Sequence, residues 1–220
     1  MSDLLLERLA RLDTCAVSDA LDRAGLTGAA LGLHALTGDR RIVGRAVTVQ
    51  LGVNDGRPPK RHLCTAAVEA ADTGSVIVIA NDGRTDVAGW GGILSLAASS
   101  RGIAGVVIDG ASRDLDESRE LALPIYGRAG VPVTARGRII ELDWNVPVAI
   151  CNVTVTPDDY LIADGSGVVF IPSGVAAAII STAEQIAERE RLMAADIRGG
   201  KPVSAVMGAS YESMLNKGAD

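Results

Sequence analysis

Arg113 and Asp114 stand side by side just beyond an unbroken apolar run, Gly105 to Ile108, and a glycine, Gly110. A guanidinium grips a carboxylate with a two-point fork, and an aspartate is a hard oxygen ligand for a divalent cation. Together they suit a small anionic substrate bound beside a metal ion. Val106, Val107 and Ile108 are β-branched without alternation, as expected of a strand covered on both faces, and Gly110 is expected to turn the chain sharply at its carboxyl end. Ligands of α/β sheets collect at that end. As local structure alone, the same pair begins a helix, with Asp114 at its positive end and Arg113 paired with Glu117. The residues by themselves leave both readings open.

A second element of chemistry is the glycine-rich Gly89-Trp90-Gly91-Gly92, expected to be a flexible loop opening a helix. Backbone amides at a helix start bind anions, so those of Ile93 and Leu94 can hold a carboxylate opposite Arg113, with Gly91 and Gly92 permitting close approach. No Gly-Lys-Ser/Thr follows and no dinucleotide fingerprint is present, so a nucleotide loop is excluded; a simple tight turn is not. Further candidates are Asp82, Asp86, Glu190 and His62, each of which also reads as an ordinary turn, surface or helix-face residue. Arg57, Lys60, Arg61 and His62 form a basic cluster that would recruit a polyanionic acid or sit on a solvated helix face. The segment from Thr134 to Arg138, followed by Glu141, reaches either the same mouth or an oligomer interface. His34 is expected in an apolar loop with a structural role.

These residues need a scaffold, and composition narrows it. The chain has 220 residues, 48% of them hydrophobic, with one Phe, two Trp and three Tyr, so the core must be built from Ala, Val, Ile and Leu. That suits one domain, residues 1–220, of β/α type. A net charge of −6 leaves no electrostatic footprint for nucleic acid. The N-terminus is too charged for a signal peptide, and no run approaches a membrane span, so a cytoplasmic protein is expected. Cys15, Cys64 and Cys151 lack metal-ligand spacing and read as buried free thiols.

Spacing predicts N-terminal helices over about 3–24 and a bent strand around Gly44. A helix opened by Pro58 and Pro59 carries His62 to Ala71, and Ser75 to Ala80 forms a strand ended by an Asn81-Asp82-Gly83 turn. A helix from Ile93 to Ser100 leads into the strand before Arg113, completing a β-α-β crossover. Short strands are then expected to fill Pro147 to Pro172, as an antiparallel layer beside the parallel one. A C-terminal helix and tail cover about 173–220.

From Thr73 to Pro172 the chain resembles the regulator of ribonuclease activity A (RraA-like) family. The matching pieces are TGSVIVIANDG, AGWGGIL, RGIAGVVIDGASRD, the Pro124-Ile125 strand and VTPDDYLIADGSGVVFIP. The family includes class II pyruvate aldolases acting on 4-hydroxy-4-methyl-2-oxoglutarate and 4-carboxy-4-hydroxy-2-oxoadipate. The resemblance implies an α/β fold of the swivelling β/β/α type and a homotrimer or homohexamer with sites between subunits. It implies that Arg113 binds the oxo-acid carboxylate, that Asp114 ligates Mg2+ or Mn2+, and that the amides of Ile93 and Leu94 hold pyruvate. Glu190 resembles an acid that the aldolases extend into an adjacent subunit's site.

One departure stands out: the aldolases carry Asp or Glu twenty-one positions before that arginine, where this chain has Gly92. An outer carboxylate there orients coordinated water and takes part in proton transfer. Asp82, Asp86 or Glu190 of a neighbouring subunit are the candidates to replace it. The expected activity is a metal-dependent lyase that cleaves a C–C bond of a small 2-oxo acid to give pyruvate through an enolate. Oxaloacetate-type decarboxylation shares that intermediate and needs no base for a hydroxyl, so it tolerates Gly92 better. A non-catalytic regulator that binds a ribonuclease partner is the reading from a different class.

Overall fold

The computed structural model describes residues 3–38, 40–58 and 61–207. The chain opens with two helices, α1 (Leu4–Leu9) and α2 (Thr14–Ala24). Asp3 and Asp13 cap them, each side chain accepting an amide of its helix's first turn. Gly25 in the left-handed region ends α2. Two short strands, β1 (Ala29–Ala30) and β2 (His34–Thr37), precede the long β3 (Ile42–Val53). Then come α3 (Thr65–Ala70), β4 (Val76–Trp90), α4 (Gly92–Ser100), β5 (Gly105–Ser112), α5 (Leu115–Glu120) and β6 (Ile125–Gly127).

Strands β3, β4, β5 and β6 pair in parallel, joined by helical crossovers. The remaining strands are β7 (Ala129–Gly130), β8 (Ile139–Trp144), β9 (Val148–Ile150), β10 (Val153–Val155), β11 (Tyr160–Asp164) and β12 (Gly167–Ile171). The β11–β12 hairpin pairs antiparallel with β3 and so extends the main sheet, while β9 and β10 form a separate two-stranded sheet. A 3-10 turn at Ser173–Val175 leads into α6 (Ala176–Arg198), followed by α7 (Val203–Val206).

Alternation along the strands divides the apolar side chains between two faces. Ile77, Ile79, Val106 and Ile108 pack under Ala67 and Val68 of α3 and Leu94 and Ala98 of α4. Val76, Val78 and Val107 point the other way, onto Val148, Ile150, Val153 and Val155 of the β9–β10 hairpin. A third cluster seals α1, α2 and α6 against Tyr160, Ile162, Val169 and Ile171. β5 is buried along its whole length, as its unalternated β-branched run predicts.

Several expectations need correction. Gly110 does not turn the chain: β5 continues to Ser112, and a Cβ at Gly110 would stand 3.0 Å from the Asn81 side chain. Asn81-Asp82-Gly83 is not a strand-ending turn but an irregularity within β4, where Asp82 and Gly83 take positive φ and pairing with β5 resumes at Arg84. Gly89 and Trp90 are buried strand residues, because Trp90 pairs with Ser112, so the expected flexible loop shrinks to Gly91. The helix expected from His62 begins only at Thr65, since Cys64 takes the left-handed conformation. Pro59 and Lys60 lie outside the described residues, as does the tail from 208 onward. His34 is an exposed strand residue and not part of an apolar loop. Of the three free cysteines only Cys64 is buried; Cys15 is exposed.

Candidate functional site

Two strand-to-helix junctions meet at the carboxyl edge of the parallel strands. β4 passes through the extended Gly91 into α4, and β5 passes through Arg113 and Asp114 into α5. Register pairs Trp90 with Ser112, and the Arg113 amide donates to the Trp90 carbonyl at 3.0 Å, so the two helices start side by side. A buried hydrogen-bonded chain holds them there. Trp90 Nε1 donates to Ser95 Oγ (2.8 Å), Ser95 Oγ and Ser118 Oγ share a bond (2.8 Å), and Ser118 Oγ donates to the Asp114 carbonyl (3.2 Å).

Asp114 sits at φ 53° and ψ 42°, a left-handed conformation that Asp tolerates better than most residues. This turns its carboxylate back across the junction, where Oδ2 accepts the Gly92 amide at 2.9 Å and Arg113 Nε at 3.1 Å. Arg113 therefore pairs with its neighbour Asp114, not with Glu117. Its two terminal nitrogens have no partner among the described residues, which leaves a fork for an anion. The first-turn amides of Ile93 and Leu94 lack an acceptor inside α4. Gly91 suits this packing, because a Cβ there would stand 3.0 Å from Asp114 Oδ2 and 3.2 Å from Arg113 Nε, so both side chains would have to give by a few tenths of an ångström.

Beside the junction runs an open groove of about 460 Å³ lined by Arg113, Asp114, Leu115, Asp116, Glu117 and the stretch 130–132. A smaller hollow of about 180 Å³ between Thr14 and Val169 has no charged side chain in its wall and offers an anion nothing. No three His, Cys, Asp or Glu side chains converge on a common point among the described residues. Mg2+ is commonly held by one or two carboxylates while keeping several waters, and the hard oxygens of Asp114 and Glu117 fit that demand.

Arg113, Asp114, Gly91, Gly92, Ile93 and Leu94 are thus brought together. The auxiliary candidates are not. Asp86 is held by Arg84 at 2.7 Å, a contact that keeps its carboxyl below the usual range. Asp82 is an exposed residue of the β4 irregularity. His62 lies by the Arg61–Glu141 pair (3.3 Å), where burial pushes the Glu141 carboxyl up against the opposing hydrogen bond from the Cys64 amide. Within the chain Glu190 faces Asp13 and Asp19 across α2, and burial followed by their repulsion raises its carboxyl. Both arginines of the basic cluster are also spoken for, Arg57 by Asp55 and Arg61 by Glu141. Glu117 is the groove residue that the spacing argument missed. Its signal was available: on a helix it lies three positions from Asp114, hence on the same face.

Paired helix starts and a polar groove lie at the edge of the parallel strands of a mixed α/β protein. The chain belongs to the RraA-like family (Aldolase/RraA), which matches residues 14–170. It is 31% identical to protein DlpA of Legionella pneumophila over 169 residues, 77% of this chain but only 28% of DlpA's length. It is 35% identical to a protein of Halalkalibacterium halodurans named as a putative 4-hydroxy-4-methyl-2-oxoglutarate aldolase, over 74% of each chain. Its fold matches Streptomyces coelicolor RraAS2, described as an unusual member of the RNase ES inhibitor RraA family. The TM-score is 0.78 and identity 26%, over 87% of this chain and 96% of the other.

Proposed function

We propose that this protein is a divalent-metal-dependent lyase that cleaves a C–C bond of a small 2-oxo acid to release pyruvate, in the manner of 4-hydroxy-4-methyl-2-oxoglutarate aldolase. The observation that carries this reading is the Arg113 fork, open at its terminal nitrogens and anchored at Nε by Asp114. In this reading the fork and the amides of Ile93 and Leu94 hold the oxo acid's carboxylate, which orients the bond to be broken. Asp114 holds Mg2+ or Mn2+. When bound, the cation supplies Lewis-acid stabilisation of the negative charge that cleavage leaves on the keto oxygen. Val131 and Pro132 contribute apolar surface to one wall of the groove.

Pyruvate release from 4-hydroxy-4-methyl-2-oxoglutarate and from oxaloacetate tests this, with Mn2+ or chelator, for wild type and Asp114→Ala. Turnover lost with chelator and with the substitution is the expected result, and the substrate ratio decides between aldolase and decarboxylase. Metal-dependent turnover of neither substrate would sink the reading.

A second reading, a protein-binding regulator of ribonuclease activity, draws on the relative described as a member of an RNase inhibitor family and on apolar exposure next to the groove. Ile93 is 82% exposed and Leu96 51% on α4. Under the lyase reading another copy of the chain covers them, in a trimer or hexamer. No helix of the described residues is long and apolar enough to cross a membrane. The free thiols suit a reducing compartment, and a cytoplasmic site of action belongs to the same proposal.

A further inference from the structure

The start of α3 repeats the arrangement found at Arg113. There a carboxylate, Asp114, accepts the Gly92 amide at 2.9 Å and meets Arg113 Nε at 3.1 Å. Before α3, Glu141 of β8 accepts the Cys64 amide at 2.7 Å through Oε2 and meets Arg61 Nε at 3.3 Å through Oε1. Glu141 is held in place, since its side chain is 3% exposed and its strand pairs it with Leu51 of β3. The Arg61 side chain is 40% exposed, and neither of its terminal nitrogens donates a hydrogen bond among the described residues. A second guanidinium is thus anchored at Nε and open at its fork.

Both forks lie along one edge of the sheet. Helices α3, α4 and α5 follow the parallel strands β3, β4 and β5 in turn, so all three begin at the carboxyl ends of those strands. The strand order places the start of α4 between the other two. Cys64 Sγ lies 3.9 Å from the Gly89 carbonyl, two residues before Gly91. The amides of Ile93 and Leu94 therefore have Arg61 on one side and Arg113 on the other. Stability does not explain the buried Glu141, because desolvation of a buried ion pair offsets the attraction within it. Fixing the aim of a guanidinium does.

We infer that Arg61 determines substrate specificity: its fork takes the distal carboxylate of a dicarboxylic 2-oxo acid whose first carboxylate Arg113 holds, and Glu141 is the positioning residue that aims it. The inference rests on the lyase reading and narrows the substrate to a diacid. The alternative is that the Arg61–Glu141 pair only pins the chain before α3 to β8. Pinning predicts a lower melting temperature when the pair is broken, and no discrimination between ligands with one carboxylate and ligands with two.

The test measures dissociation constants by titration calorimetry on the full chain with Mn2+, for pyruvate and for 2-oxoglutarate, a diacid with no bond that this chemistry would cleave. Wild type is expected to bind 2-oxoglutarate about 10- to 100-fold more tightly than pyruvate, the range for one charged hydrogen-bonded contact. Arg61→Gln should abolish that preference, the loss falling on 2-oxoglutarate. Arg61→Lys keeps the charge without the fork and should retain part of the preference. Glu141→Gln keeps an oxygen for the Cys64 amide but frees Arg61, so it too should lose part of it. Arg113→Gln should weaken both ligands alike, and melting temperatures report that each variant is folded. Equal affinity of the wild type for the two ligands overturns the role of Arg61, as does a folded Arg61→Gln variant that keeps the preference or weakens both ligands equally. In each of those cases loss of both ligands in Arg113→Gln leaves the lyase reading standing. Failure of the wild type to bind either ligand overturns both.

Discussion

The Gly92 amide donates to Asp114 Oδ2 at 2.9 Å, so the first backbone donor of α4 holds the carboxylate that follows β5. The bond ties two segments far apart in sequence and keeps Asp114 in its left-handed conformation.

Asp114→Asn should therefore fold as well as wild type, because the amide side chain keeps an oxygen for Gly92 and Asn tolerates positive φ. Asp114→Ala loses the bond and the local side-chain hydrogen bonding that lets Asp and Asn adopt that conformation, together about 1–2 kcal/mol. A fall of roughly 2–8 °C in melting temperature for Ala, and little change for Asn, is the expected result. Mn2+ affinity should fall in both.

Ser95 is fully buried between Trp90 and Ser118. Ser95→Ala removes the shared partner and strands the indole N–H, at a cost of about 1–3 kcal/mol. Thermal melting should show it, and intrinsic tryptophan fluorescence should shift as Trp90 loses its acceptor. Because the chain ends on the Asp114 carbonyl, the lyase reading expects pyruvate release to drop as well, although Ser95 does not line the groove.

Arg113→Lys keeps the charge and removes the fork. Loss of one charged hydrogen bond is about 1.5–3 kcal/mol, which corresponds to roughly a 10- to 100-fold fall in kcat/KM for the oxo acid. Steady-state kinetics should place most of it in KM, since the grip on the carboxylate is made before and during bond cleavage. Melting temperature should hardly move.

The acids between α2 and α6 predict a pH effect. Burial, then repulsion from Asp22 and Asp13, raises the Asp19 carboxyl, and burial with repulsion from Asp13 and Asp19 raises Glu190. A carboxyl raised in the folded state binds its proton more tightly there. Its charged form thus opposes folding above the raised value, and the opposition fades as pH falls through it. Asp19→Asn should raise the melting temperature at pH 7 and lose most of that gain near pH 4. Asp164 runs the other way: burial raises it, but hydrogen bonds from Thr14 and Ser166 outweigh that and hold it below the usual range. Its contribution is present at neutral pH and lost in acid, so Asp164→Asn should destabilise at pH 7 and converge with wild type at low pH.

Much of this molecule could be read from its residues, because the deciding forces are local. Buried β-branched runs announced β4 and β5, the motif pieces from Thr73 to Pro172 pointed to the family, and Arg113 with Asp114 marked the strand edge that carries the candidate site. What the linear chain did not decide was set by contacts across the sheet. Pairing with β5 carried β4 past Asn81 to Trp90, and a bond from Gly92 fixed the aim of Asp114. Glu117 came to lie over Gly92 only because Trp90, Ser95 and Ser118 bring two helices together. The gap at 92 reads in sequence as a missing acid; in three dimensions it is the space in which the Glu117 carboxylate stands, since a side chain's position depends on what its neighbours leave open.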